Sequence, residues 1–218
     1  MTRPPPSLYL ITPVLDDVVG FRPALEEACA AATVTAVLLR LAPVDERTLI
    51  NRVKAIAPVA QAYDAAVVVA DPGSPVDLAT VATRGGADGA HSDDPARLED
   101  LCQRLKEGRD IGAGGLRSKH DAMVAGELGV DYVLFGEPRR DGTVPPLDLL
   151  VERASWWTEI FQTPCAVYAP ALTDLPDLVA TGAEFIALGD AVWSHPDGPG
   201  AGLLAAARVL ATIREGAS

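Results

Sequence analysis

Short runs of apolar, often β-branched residues alternate along the chain with longer stretches in which apolar residues recur every three or four positions. The short runs are typical of strands buried on both faces, and the periodic stretches are typical of amphipathic helices. Strands are expected at residues 8–13, 36–41, 66–71, 88–92, 110–114, 131–136, 165–169 and 185–189. Helices are expected between them, for example at residues 22–32, 47–63, 95–107, 119–128, 147–161 and 202–214.

A short pattern marks the change from helix to strand. A glycine that ends a helix in the left-handed conformation is followed, two residues later, by an acidic residue at the strand entry. Strand–helix units in this order predict a parallel sheet. Eight units predict a (β/α)8 TIM barrel formed by residues 1–218 as one domain, and an open doubly wound sheet is the alternative. The pattern occurs at Gly86-Ala-Asp-Gly, Gly129-Val-Asp-Tyr and Gly182-Ala-Glu-Phe.

Composition and charge narrow the functional classes. A net charge of −12 disfavours nucleic acid and anionic membranes as partners, since both attract a basic surface. Cys29, Cys102 and Cys165 are odd in number and lack metal-site spacing, which indicates buried thiols in a reducing compartment. No secretory signal and no apolar run of transmembrane length is found, so a cytoplasmic protein is expected.

Candidate functional residues are those at the carboxyl ends of the strands, because ligands of such barrels bind there. These positions combine an arginine, carboxylates and glycines. They are Thr12, Arg40, Asp71, His91 to Asp94, Gly114-Gly115, Gly136-Glu137, Ala169-Pro170 and Gly189-Asp190.

Four segments follow one another in order along nearly the whole chain: LYLITP at 8–13, GADGAH at 86–91, GVDYVLFG at 129–136 and GAEFIALGDAV at 182–192. Together they resemble the thiamine phosphate synthase/TenI family. The resemblance implies a barrel that joins a hydroxymethylpyrimidine pyrophosphate to a thiazole phosphate, with Mg²⁺ on the leaving pyrophosphate. TenI members of the family instead tautomerise the thiazole.

Site residues follow from the resemblance position by position. It implies that Arg40 holds the pyrophosphate and that Asp71 and Asp94 hold Mg²⁺, with Arg40 and Asp71 as the catalytic pair. Hard carboxylate oxygens suit Mg²⁺, which keeps several waters. Phosphate binding is expected at Arg40, Gly114, Gly115, Gly136, Arg139 and Gly189.

Several positions depart from the family pattern. The family's Gln-Leu-Arg-Glu-Lys on the second strand is Leu38 to Ala42 here, so one of three polar side chains on that face remains. Ala70 replaces an asparagine, and Glu137 begins the segment that replaces a phosphate-clamping Thr-x-Thr-Lys. Pro170 has no N–H to donate. These changes leave a second hypothesis open, a catalytically impaired relative that binds a small phosphorylated heterocycle.

Each candidate also has a structural interpretation. Arg40 and Asp71 are equally expected as an ion pair between neighbouring strands, and Asp93-Asp94 as the N-cap of a helix. His91 is expected to be positional. Arg117, Lys119, Arg139 and Arg140 form either a replacement anion clamp or a solvated surface. One of Trp156 and Trp157 is expected at the surface or in a homodimer interface.

Overall fold

The computed structural model of the protein describes residues 5–105, 108–139 and 142–216. Eight parallel strands follow one another around a closed barrel, and the last strand pairs with the first. The predicted (β/α)8 TIM barrel is therefore confirmed. The strands are β1 (Ser7–Ile11), β2 (Ala36–Leu39), β3 (Ala66–Ala70), β4 (Gly89–Ser92), β5 (Asp110–Ala113), β6 (Tyr132–Phe135), β7 (Cys165–Ala169) and β8 (Phe185–Leu188).

Helices surround the barrel and lie close to their predicted positions. Asp17, at the start of the first helix, accepts hydrogen bonds from Val19 and Gly20 N–H and moves that start ahead of the predicted Arg22. The helices are α1 (Val18–Ala31), α2 (Glu46–Gln61), α3 (Leu78–Gly85), α4 (Pro95–Leu105), α5 (Lys119–Leu128), α6 (Leu147–Ile160), α7 (Leu175–Ala180), α8 (Asp190–Trp193) and α9 (Pro199–Gly216), with a 3-10 turn at Leu172–Asp174. Across the described ranges, no helix combines the length and apolarity that crossing a membrane requires.

The apolar core has two layers. One lies between the strands and the surrounding helices, and the other fills the barrel itself. Successive strand residues point to opposite faces, so alternate residues enter the interior. The interior layer comprises Tyr9, Ile11, Ala36, Leu38, Val68, Tyr132, Leu134, Ala166, Tyr168 and Ala187.

Acidic residues at the strand entries bind the neighbouring strands. Asp88 accepts a hydrogen bond from Val67 N–H at 2.7 Å, Asp131 from Ile111 N–H at 2.7 Å, and Glu184 from Cys165 N–H at 2.8 Å. In each case the donor lies on the preceding strand of the barrel. The glycines that precede these acids have φ near +80°, as predicted: 81° at Gly86, 81° at Gly129 and 79° at Gly182. The glycine–acid pattern thus ends a helix and joins two strands.

We expect Asp131→Ala to lower the free energy of unfolding by about 1–2 kcal/mol, since the buried Ile111 N–H loses its side-chain acceptor. Urea unfolding measures the loss. Asp197→Ala, in an exposed loop, is the control and should leave stability within about 0.5 kcal/mol. Equal effects of the two substitutions would contradict this role for Asp131.

Candidate active site

The carboxyl ends of β1 and β2 are joined beside the first candidate residue. Thr12 is buried, and its hydroxyl accepts a hydrogen bond from Arg40 N–H at 2.9 Å. This contact holds the backbone of Arg40 at the rim of the barrel, one position beyond Leu39, the last residue of β2. The Arg40 side chain is partly buried there.

Arg40 is a partly desolvated cation. Burial lowers the pKa of its guanidinium, and the charges of Glu137, Tyr168 and Asp190 act in the opposite direction. Among the described residues, no carboxylate lies within ion-pair distance of it. A buried positive charge without a contacting counter-ion is costly, and an anionic ligand would relieve that cost.

Asp71 belongs to a different network. Its Oδ2 lies 3.1 Å from Nε of Arg97 and accepts a hydrogen bond from the Ser92 hydroxyl at 3.2 Å. Its Oδ1 accepts a hydrogen bond from Gly73 N–H at 2.7 Å. The alternative of an Arg40–Asp71 ion pair is therefore wrong. Ala70 faces the barrel interior, so the next residue, Asp71, lies on the opposite face.

Arg97 was not expected from the sequence. It lies on α4 and also donates hydrogen bonds to the carbonyl oxygens of Val76 at 3.1 Å and Ser74 at 2.7 Å. It therefore binds the loop between β3 and α3 as well as the Asp71 carboxylate. A surface helix position gave no signal that its arginine would reach a strand end.

Asp94 is exposed at the start of α4 and lies close to the same network. Its Oδ1 accepts a hydrogen bond from Ala96 N–H at 2.9 Å, which confirms the N-cap interpretation. Its backbone N–H donates to the Ser92 hydroxyl at 3.1 Å. Ser92 thus connects Asp94 with Asp71. The described residues contain no group of three or more acidic, histidine or cysteine side chains arranged around a metal position.

Gly114 and Gly115 accommodate a carboxylate of the protein itself. Gly115 N–H donates a short hydrogen bond to Oε1 of Glu137, while Gly114 N–H donates to the Ser92 carbonyl at 3.0 Å. A Cβ at Gly114 would lie 2.2 Å from Oε1 of Glu137 and 2.4 Å from Nε2 of His91. Glycine at this position therefore makes room for both side chains.

Glu137 is a carboxyl group with a strongly shifted pKa at the barrel mouth. Burial raises its pKa to about 7, against the hydrogen bond from Gly115 and the positive charge of Arg40, which lower it. The sequence placed Glu137 at a strand end but assigned it no role. The glycine at position 114 was the available signal for Glu137, since a glycine at a strand end leaves space for a neighbouring side chain.

A chain of hydrogen bonds connects the mouth with the barrel interior. The hydroxyls of Tyr9 and Tyr132 are 2.7 Å apart, and the Tyr132 hydroxyl lies 3.1 Å from Nδ1 of His91. Burial and the charge of Arg40 lower the pKa of His91 to about 3, so its ring is neutral near neutral pH. A Cβ at Gly112 would lie 2.3 Å from the Tyr132 hydroxyl.

The remaining predicted phosphate-binding residues are dispersed around the rim. Gly136 has a φ of 87° and packs against Leu150, where a Cβ would lie 2.4 Å from Cδ2. Gly189 is buried beside Tyr168, whose hydroxyl would lie 3.0 Å from an added Cβ. Arg139 is exposed beyond β6.

Three of the four basic residues proposed as an anion clamp lie within the described ranges. Lys119 forms an ion pair with Glu152 at 2.9 Å, and its Nζ lies 5.3 Å from the ring centroid of Trp156. Arg117 is exposed, and Arg140 lies outside the described residues. Of the two tryptophans on α6, Trp157 is fully buried and Trp156 is partly exposed, as the helical periodicity predicted.

Fold and site together define a (β/α)8-barrel protein whose polar groups meet at the carboxyl ends of the strands, the position where barrel enzymes bind their ligands. A family model described as thiamine monophosphate synthase matches residues 8–192. The chain belongs to this family, the thiamine phosphate synthase/TenI family.

Two relatives agree with this family assignment, and a solved structure agrees with the fold. The thiamine-phosphate synthase of Rhodospirillum centenum is 37% identical over 210 residues, covering 93% of this chain and 97% of the relative. That of Hyphomonas neptunium is 36% identical over 215 residues, covering 93% of each. The structure of a thiamine phosphate pyrophosphorylase from Pyrococcus furiosus has a TM-score of 0.74 at 21% identity, covering 95% of this chain and 96% of that one. At this identity the structural likeness supports the fold alone.

We expect Tyr132→Phe to destabilise the protein by about 1–3 kcal/mol, because the buried Tyr9 hydroxyl and His91 Nδ1 both lose a hydrogen-bond partner. Tyr63→Phe removes a hydroxyl from a side chain that is 37% exposed and is the matched control. Chemical unfolding of both variants provides the comparison. If the two curves coincide, the Tyr132 hydroxyl does not hold the barrel interior together.

Proposed function

We propose that the protein is a thiamine phosphate synthase, which joins a hydroxymethylpyrimidine pyrophosphate to a thiazole phosphate and releases pyrophosphate. The family and the relatives named thiamine-phosphate synthase support a role in thiamine biosynthesis. The observation that carries the proposal is Arg40, a partly buried guanidinium at the mouth without an ion-pair partner in the described ranges.

Arg40 would act on the leaving group. The thiazole nitrogen forms a bond to the methylene carbon of the pyrimidine as the carbon–oxygen bond to pyrophosphate breaks. Negative charge therefore develops on the departing oxygen. The Thr12–Arg40 contact holds the Arg40 backbone at the rim, and from there the guanidinium would stabilise that charge, as oriented donors do when they lower a barrier.

The phosphate group of the thiazole substrate requires a separate binding site. We assign it to the rim positions Gly136, Arg139 and Gly189, at the ends of β6 and β8. Phosphate sites of such barrels lie at the loops that follow the last strands. The N–H groups of Gly114 and Gly115 already have protein acceptors. Gly115 would serve a phosphate only after Glu137 leaves its position, and the Gly114 N–H is bound to the Ser92 carbonyl.

Asp71 and Asp94 would supply two carboxylate ligands to Mg²⁺ but not a complete set of protein ligands. The two oxygens of Asp71 already form an ion pair with Arg97 and accept hydrogen bonds from Ser92 and Gly73. One oxygen of Asp94 accepts a hydrogen bond from Ala96. A carboxylate offers about four acceptor positions, so each retains capacity. Mg²⁺ commonly binds through one or two carboxylates together with substrate phosphates and water, and there it neutralises charge on the pyrophosphate.

A second candidate function is a family member that binds a phosphorylated heterocycle without turnover. The engagement of Asp71 by Arg97 favours it, since the ion pair occupies one oxygen of the proposed metal ligand. The two functions differ in one observable. Thiamine phosphate binding by calorimetry with no product in the synthase assay identifies the binding protein, whereas product formation identifies the enzyme.

We expect Arg40→Ala to lower kcat/KM about 10²–10³-fold, the usual cost of losing one donor to developing charge. Thiamine phosphate formation from both substrates with Mg²⁺ measures it. Arg208→Ala, an exposed arginine on α9, is the control and should keep full activity. Retained activity in Arg40→Ala would remove Arg40 from the mechanism, and a folded wild-type protein without activity would remove the proposed function.

We expect Asp94→Asn to raise the Mg²⁺ concentration needed for half-maximal activity by about tenfold, because one charged ligand is lost. Asparagine is as good an N-cap as aspartate, so the start of α4 should be preserved. Asp93→Asn, at the neighbouring exposed position, is the matched control. Metal titrations that shift for Asp93→Asn and not for Asp94→Asn would reassign the ligand.

A further inference from the structure

Glu137 lies in the barrel mouth beside a backbone N–H donor and under the influence of a positive charge. Its Oε1 accepts the Gly115 N–H, and its carboxylate and the Arg40 guanidinium influence each other electrostatically. Gly114 leaves the required space, since an added Cβ would lie 2.2 Å from Oε1. The protein thus supplies its own anion to a place built from a backbone donor and a cation.

Gly115 is shaped for this contact. Its φ of 66° lies in the left-handed region, and a Cβ there would lie 2.6 Å from the Cβ of Asp93. Glycine avoids both penalties, and its N–H is directed at the carboxylate. The geometry is that of a backbone anion receptor occupied by a side chain.

We propose that Glu137 determines which ligands the mouth accepts: its ionised carboxylate excludes a phosphate group from the Gly115 and Arg40 donors, and a phosphate enters only when that carboxylate has taken up one proton. The neutral acid then donates its O–H to a phosphate oxygen, and the proton that it has taken up comes from solvent. The inference rests on the proposed function in that it concerns binding of the same pyrophosphate.

Glu137 is the group that titrates near neutral pH within this cluster. Burial raises its pKa to about 7. His91 stays neutral there, because burial and Arg40 hold its pKa at about 3. Burial raises the pKa of both tyrosines, so they keep their protons. The charged and titratable groups facing Glu137 are Tyr9 on β1, Arg40 beyond β2, His91 and Asp93 at the end of β4, and Tyr132 on β6.

Calorimetric titration with inorganic pyrophosphate, without added metal, compares wild type with Glu137→Gln at pH 6 and pH 8. Glutamine has the shape of the neutral acid and offers an N–H donor, so it mimics the protonated state at every pH. With a pKa of about 7, about a tenth of wild-type molecules are protonated at pH 8 and most at pH 6. The variant should therefore bind about tenfold more tightly at pH 8 and within about twofold at pH 6. The ligand's own titration cancels in this ratio.

Asp190→Asn is the matched control, because Asp190 is a second rim carboxylate that acts electrostatically on Arg40. It should keep the wild-type dependence of affinity on pH. If the ratio of the pyrophosphate affinity of Glu137→Gln to that of wild type is equal at both pH values, the inference is overturned and the proposed function stays intact. The inference would also be overturned if Asp190→Asn, and not Glu137→Gln, changed the dependence of affinity on pH.

Wild-type protein alone provides a second measurement, should Glu137→Gln fail to fold. Titration at pH 8 in two buffers of different ionisation enthalpy measures proton uptake on binding. We expect close to one proton more than the free ligand accounts for, and no extra uptake would overturn the inference. If neither protein binds pyrophosphate at either pH, the inference fails together with the pyrophosphate role of Arg40.

Discussion

The barrel closes because its inward-facing side chains fill the interior, and this filling requires that one position on β5 and the residue directly after β5 carry no side chain. Gly112 leaves room for the ring and hydroxyl of Tyr132, and Gly114 leaves room for His91 and Glu137. Interiors are packed so densely that one extra methyl group displaces its neighbours. The same two glycines therefore permit closure of the fold and place a histidine and a carboxylate at the mouth.

Electrostatics at the mouth follow from this packing. His91 and Tyr132 are buried where a charged form is poorly solvated, so both remain neutral near pH 7. Charge is then confined to Arg40 and to the carboxylates around it. Because Asp71 is engaged by Arg97 on the outer face of β3, its charge does not neutralise Arg40. The guanidinium of Arg40 therefore has no contacting carboxylate among the described residues.

The fold was predictable from the sequence because its signals are local. The alternation of apolar runs with helical periods predicted the strands and helices. The glycine–acid pattern at Gly86, Gly129 and Gly182 predicted where a helix ends and a strand begins. Both signals depend on a few adjacent residues. The partner of Asp71 was less accessible. Alternation from the inward-facing Ala70 indicates the outer face, but no local rule indicates that Arg97 reaches it from α4.

Glu137 shows why the site was harder to predict than the fold. Gly136, with a φ of 87°, interrupts the alternation of β6, so the direction of the next side chain does not follow from strand periodicity. The position of the Glu137 side chain depends instead on two residues that follow β5: Gly114, which has no side chain in the way, and Gly115, whose N–H donates to the carboxylate.

A chain with a net charge of −12 repels anions at long range, and salt screens that repulsion beyond about 8 Å at physiological ionic strength. If the proposed phosphate binding takes place, its affinity must therefore come from contacts within the mouth. There, a single carboxylate would be enough to decide between attraction and repulsion, because at short range in a partly desolvated site one charge outweighs the diffuse charge of the surface.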